Sequence, residues 1–132
     1  MSFTHTVRQN TSYTDSNGNV SRASTNTQVA GSELSISESI TDSLSQLVAF
    51  TLDVSQCKSF AIWSVGGNMT VGTNDTITPD NVFDLVDGKP IIWSAGMVDS
   101  PTNPVTTDII ALYVTNTGEA RLEIRALFDP TA

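Results

Sequence analysis

One cysteine, one histidine and six basic residues in 132 leave little material for chemistry, and each scarcity closes off a class of protein. A single thiol, Cys57, rules out an intramolecular disulfide framework and any multi-cysteine metal site, so packing must hold the fold together. Beside Phe60 and Ile62 it reads as a small buried hydrophobe. The lone histidine, His5, stands in a polar segment where a Ser-His-Asp arrangement has no ordered setting. Its side chain is expected to be exposed or to touch another subunit. The basic residues Arg8, Arg22, Lys58, Lys89, Arg121 and Arg125 are scattered through a chain of formal net charge -8. Nucleic-acid platforms need a clustered basic footprint, and anionic membranes attract one, so neither partner is expected. No apolar run approaches the length of a membrane span, and the opening MSFTHTVRQN lacks the charged-then-apolar layout of a secretory signal. Synthesis in a cytoplasm without classical export is the expectation.

What the chain does have is strand grammar. Ile109 to Phe128 reads as two antiparallel strands around a tight Asn116-Thr117-Gly118 loop, with Asn and Gly suited to the positive φ of a G1 bulge. In the return strand Leu122, Ile124, Ala126 and Phe128 alternate with Arg121, Glu123 and Arg125, one face apolar and the other charged. Val48, Phe50, Leu52 and Val54 alternate likewise, and Leu34, Ile36 and Ile40 mark a half-buried strand in a Ser-rich stretch. Phe60, Ile62 and Ser64 oppose Ala61, Trp63 and Val65, which predicts a central strand apolar on both sides. Gly66-Gly67 and Asp87-Gly88 are turn pairs, while Pro101 and Pro104 bar a ladder from the connection 96–108. Thr78-Pro79-Asp80 offers one helical turn capped by Thr78.

Composition shifts near Gly31. Residues 1–30 are rich in Ser, Thr, Asn and Gln, too poor in apolar groups to fold alone, yet Asn17-Gly18 sits between Thr-rich flanks as a strong hairpin signal. The expectation is a polar two-stranded arm over 1–30, with a disordered tail as the alternative. Residues 31–132 then form the domain, an all-β antiparallel sandwich of about eight strands. A jelly roll is preferred, with an immunoglobulin-like sandwich or a simple barrel left open by spacing alone. The predicted core includes Phe50, Leu52, Phe60, Ile62, Ile92, Leu112, Leu122 and Ile124.

A search for a reactive constellation finds none. Asp75, Asp80, Asp84 and Asp87 lack the alternating oxygens, glycine and closing Glu of a calcium loop. Gly66-Gly67 lacks the Lys-Ser or Lys-Thr that follows a phosphate-binding loop. A distant carboxylate pair for glycoside hydrolysis is possible in any chain, but this one is small for a cleft as well as a core. Trp63, Trp93, Tyr13 and Tyr113 could stack on sugars; both tryptophans lie in apolar strands, where core packing is the simpler role. No catalytic residue, metal or cofactor is expected.

The segments Lys89-Pro90-Ile91-Ile92-Trp93-Ser94 and Leu112-Tyr113-Val114-Thr115-Asn116, followed by Ala120-Arg121-Leu122-Glu123-Ile124-Arg125, resemble small structural proteins of tailed bacteriophages. The likeness runs from Val48 onward and includes the Leu52-Asp53-Val54-Ser55 turn. It implies a capsid decoration or cement protein, a β-sandwich or jelly-roll module on the outer surface of an assembled shell. The implied partners are the major capsid protein and further copies of the chain, as homodimer or homotrimer. The alternative is a receptor- or glycan-binding module of a tail or head fibre. Phe3, His5, Val7 and Tyr13 are the candidate interface residues, being the few anchors available on the arm.

Overall fold

The computed structural model describes residues 2–16, 18–41, 43–95, 103–116 and 118–130. Ten strands are formed among them, β1 (Phe3–Asp15), β2 (Gly18–Ala30), β3 (Ser32–Ile40), β4 (Ser43–Val48), β5 (Cys57–Val65), β6 (Met69–Thr73), β7 (Val82–Leu85), β8 (Ile91–Ser94), β9 (Leu112–Asn116) and β10 (Ala120–Phe128). The protein is all-β, and its antiparallel sheets pack face to face as a sandwich. One sheet has the order β3-β10-β5-β8 and the other β4-β9-β6-β7, while β1 and β2 form a separate two-stranded ribbon.

The core lies between the four-stranded sheets. Period-two alternation puts Phe60 and Ile62 of β5 and Leu122, Ile124 and Ala126 of β10 against Val71, Phe83, Leu85, Leu112 and Val114 of the opposite sheet. Phe60 and Phe83 meet across that gap, ring centroids 5.8 Å apart. Phe50 and Leu52 are buried in the strand-like run after β4, where Leu52 bridges Ile109. The Asp53 carboxylate then caps a 3-10 turn over Val54–Gln56 by accepting the Ser55 N–H at 2.9 Å.

Three short loops expected to close hairpins instead carry the chain from one sheet to the other. β9 and β10 do not pair; β9 lies between β4 and β6, and β10 between β3 and β5. Gly118 has no positive φ, so there is no G1 bulge, and the Asn116 side chain organises the loop by bonding Ile40 O at 3.0 Å and Gly118 O at 2.6 Å. Thr117 lies outside the described residues. The Gly66-Gly67 loop likewise links β5 to β6 across the sandwich. At Asp87-Gly88 the chain reverses tightly enough for Val86 to bridge Lys89, yet β7 and β8 still part to different sheets. Gly88 has φ +75, a conformation that costs any side chain with a Cβ. At all three loops the flanking strands then face each other across the core, each burying its apolar side against the opposite sheet.

The pairings nest: β3 with β10, β4 with β9, β5 with β8 and β6 with β7. In the β6–β7 loop no helix forms after Thr78. Asp75 takes the capping role instead, accepting the Ile77 N–H at 2.8 Å, and those N–H groups hold its carboxyl below the usual carboxylate range.

Candidate functional site: the arm and the sheet face beneath it

β1 and β2 pair along their whole length, from Phe3 with Ala30 to Asp15 with Gly18, leaving a two-residue loop. Gly18 begins β2 with φ +117; Asn17 lies outside the described residues. On one face of the ribbon Phe3, His5, Val7, Gln9, Ser24, Asn26, Gln28 and Ala30 are half-buried or buried, and the opposite face, from Thr4 to Asn10 and Ala23 to Val29, is exposed. That buried face rests on the outer side of the β3-β10-β5-β8 sheet.

The seat is polar and specific. His5 Nδ1 lies 3.0 Å from Ser59 Oγ, and His5 Nε2 lies 2.7 Å from Glu33 Oε2. Ser59 and Glu33 are the neighbours of Leu127 on either side in the sheet, so the imidazole bridges β5 to β3 directly over Leu127 of β10. Leu127 is 0% exposed although it faces away from the core. At the β8 side, Ser94 Oγ donates to Asn26 Oδ1 at 2.6 Å, and Gln28 Nε2 donates to Ala95 O at 2.6 Å. Thus Ser59, Ser94 and Leu127, outward positions of three strands, are sealed by the arm.

His5 is therefore not exposed, as its polar surroundings suggested, but half-buried with both ring nitrogens engaged within its own chain. Phe3 and Val7 are also half-buried on this same face rather than free anchors. Tyr13 stands opposite Val20 in the ribbon, and its side chain is outside the described residues.

Beyond the seat the sheet face is open. Arg125 Cζ sits 5.5 Å from the Trp63 ring centroid, a cation–π contact. The guanidinium also donates to Ile36 O at 2.9 Å and pairs with Glu123 at 3.2 Å, and Glu123 accepts from Ser37 Oγ at 2.8 Å. Trp63 is thus half-buried on the outside of the sandwich, not part of the core as its apolar strand suggested. Ile92, also predicted to be core, is 39% exposed beside Ala61; Ile91 and Trp93 turn inward in its place because they pair with Ile62 and Phe60. Two hollows share Ala61, Trp63 and Ile92 as floor. One, about 380 Å³, runs under Thr4 to Arg8 of β1, and the other, about 440 Å³, continues to Val65, Gly88 and Pro90. Together they make a trough walled on one side by β1.

The acidic stretch does not gather. Asp75 binds its own loop, Asp80 accepts from Asn74 Nδ2 at 2.7 Å, Asp84 from Thr70 Oγ1 at 3.2 Å, and Asp87 from the Gly66 N–H at 3.0 Å. Among the described residues no group of three or more His, Cys, Asp or Glu side chains is placed to hold a metal ion. Cys57 is buried, and that burial pushes its thiol up to about 11 against the opposing backbone hydrogen bond from Ser59. Comparison with protein-family models, with curated proteins and with solved structures gave no match to the chain.

Proposed function

We propose that the protein is a structural virion component, a decoration or cement module that attaches to the outside of an assembled phage shell and stabilises it by bridging capsomers. The observation that carries this reading is the arm, a long two-stranded ribbon seated by its base on a sandwich and, among the described residues, paired with no other strand. Unpaired ribbon edges recruit strands from neighbours through backbone hydrogen bonds, and a module that binds only the assembled lattice opposes its rupture by linkage. The sequence resemblance from Val48 onward supports the same assignment. So does the nested pairing of β3 with β10, β4 with β9, β5 with β8 and β6 with β7, which we read as a long hairpin rolled into a jelly roll. The acidic sandwich suits a basic face of the major capsid protein, the expected partner at the outer capsid surface.

Purified protein mixed with undecorated shells should co-sediment with them in EDTA, and attachment should slow as salt rises. No binding to shells from its own phage, or binding that requires added calcium, overturns the reading. A second reading, a receptor- or glycan-binding module of a fibre, is favoured by the half-exposed Trp63 beside an open trough. Saturable quenching of tryptophan fluorescence by host-surface glycans, lost in Trp63→Ala, would support it instead.

A further inference from the structure

We infer that β1 accepts a strand along its free edge and that the strand is β1 of a second copy, so that two arms join antiparallel and each lies partly in the other's Trp63 trough. This goes beyond shell attachment and does not depend on it.

The trough has the parts that strand addition requires. β2 lies toward Ala95, which bonds Gln28, so β1 is the edge that overlooks Ala61 and Trp63. In a hairpin closed by the pair Asp15–Gly18 around a two-residue loop, the odd residues of β1 exchange bonds with β2. The even residues Thr4, Thr6 and Arg8 then direct N–H and C=O groups to the open side. A strand entering there would gain that ladder above and the apolar floor of Ala61, Trp63 and Ile92 below.

The length and charge of the arm select the occupant. Thirteen residues reach about 44 Å, whereas the sheet beneath is about 30 Å along its nine-residue strands and about 14 Å across four of them. At least about 14 Å of the distal arm must therefore run past the sheet that seats its base. The half-buried parity of His5 and Val7 continues at Gln9. Each copy thus has a floor without a cover and a length of strand without a floor. A two-fold axis beside β1 satisfies both at once, because antiparallel pairing sets the distal half of one arm against the seated half of the other. Charge favours that exchange over contact between two sandwiches. Residues 1–30 carry Arg8 and Arg22 against Asp15, a formal +1, while the rest of the chain carries four basic and 13 acidic residues, a formal -9.

The full-length chain, without shells, is measured by sedimentation equilibrium beside Thr6→Pro and Ala61→Glu. Proline at position 6 removes an outward N–H and spares the β1–β2 ladder, and glutamate at position 61 charges the floor. The wild type should be a dimer and both variants monomers, each keeping a cooperative melt. Because the two changes lie on different elements, misfolding of one leaves the other decisive. A monomeric wild type overturns the proposal, as does a dimer or higher oligomer that survives both substitutions. Shell co-sedimentation of the same proteins reads the proposed function separately.

Discussion

Leu127 gives the sharpest test of how the arm is seated. Its side chain faces away from the core and is nonetheless 0% exposed, with His5 bridging Ser59 and Glu33 across it. Truncating a fully buried leucine to alanine costs about 2 to 5 kcal/mol, whereas a surface substitution stays within about 0.5 kcal/mol. If the arm is the cover, Leu127→Ala should fall in the first class in the whole chain and in the second once residues 1–30 are deleted. The coupling between deletion and substitution should then be at least about 1.5 kcal/mol, well above the few tenths expected of independent sites. The sandwich core contains no arm residue, so the shortened chain should still unfold cooperatively. Urea titrations followed by the fluorescence of buried Trp93 measure all four species. In the whole chain, 2 kcal/mol would also lower Tm by roughly 6 °C or more. An equal cost of Leu127→Ala with and without the arm would mean that something else buries Leu127, and the seat as described would be wrong.

Two further outcomes follow from single residues. Cys57 should resist alkylation at pH 8 in the folded protein and react quickly in urea. Its thiol stays protonated to about 11 when folded against 9.0 in the open chain, so its contribution to stability is full below pH 9 and is lost as pH rises from there toward 11. Gly88→Ala should destabilise by about 1 to 2 kcal/mol, seen as an earlier urea midpoint at unchanged slope. No atom stands within 4 Å of the added Cβ, so the cost is conformational alone. An unchanged midpoint would refute the left-handed turn.

The inward faces were legible in the sequence because alternation is a local property. Leu122, Ile124 and Ala126, or Val48, Phe50 and Leu52, announce which side is buried without reference to any partner. Which strands pair was not legible. Asn116-Thr117-Gly118 and Gly66-Gly67 encode a reversal of direction, but whether the returning strand lies beside its predecessor or across the core from it depends on distant strands. Trp63 and Ile92 illustrate a second limit. Where both parities are apolar, alternation carries no sign, and the choice falls to register, here the pairing of Phe60 with Trp93. The role of His5 had no local signal at all, since its partners Glu33 and Ser59 are 28 and 54 positions away.

The nested strand order also sets a timetable for the nascent chain. β3 emerges early but takes its only sheet neighbour from β10, the last of the described strands, and β5 waits for β10 as well. Few native contacts are therefore available to a ribosome-bound fragment, and the sandwich should close late and slowly, as folds of high contact order do. The arm, although made before the sandwich, has no finished surface to lie on until Leu127 arrives in β10. Until that moment the hairpin edge and the unclosed strands are exposed together, so a crowded translation site is where premature pairing between chains is most favoured.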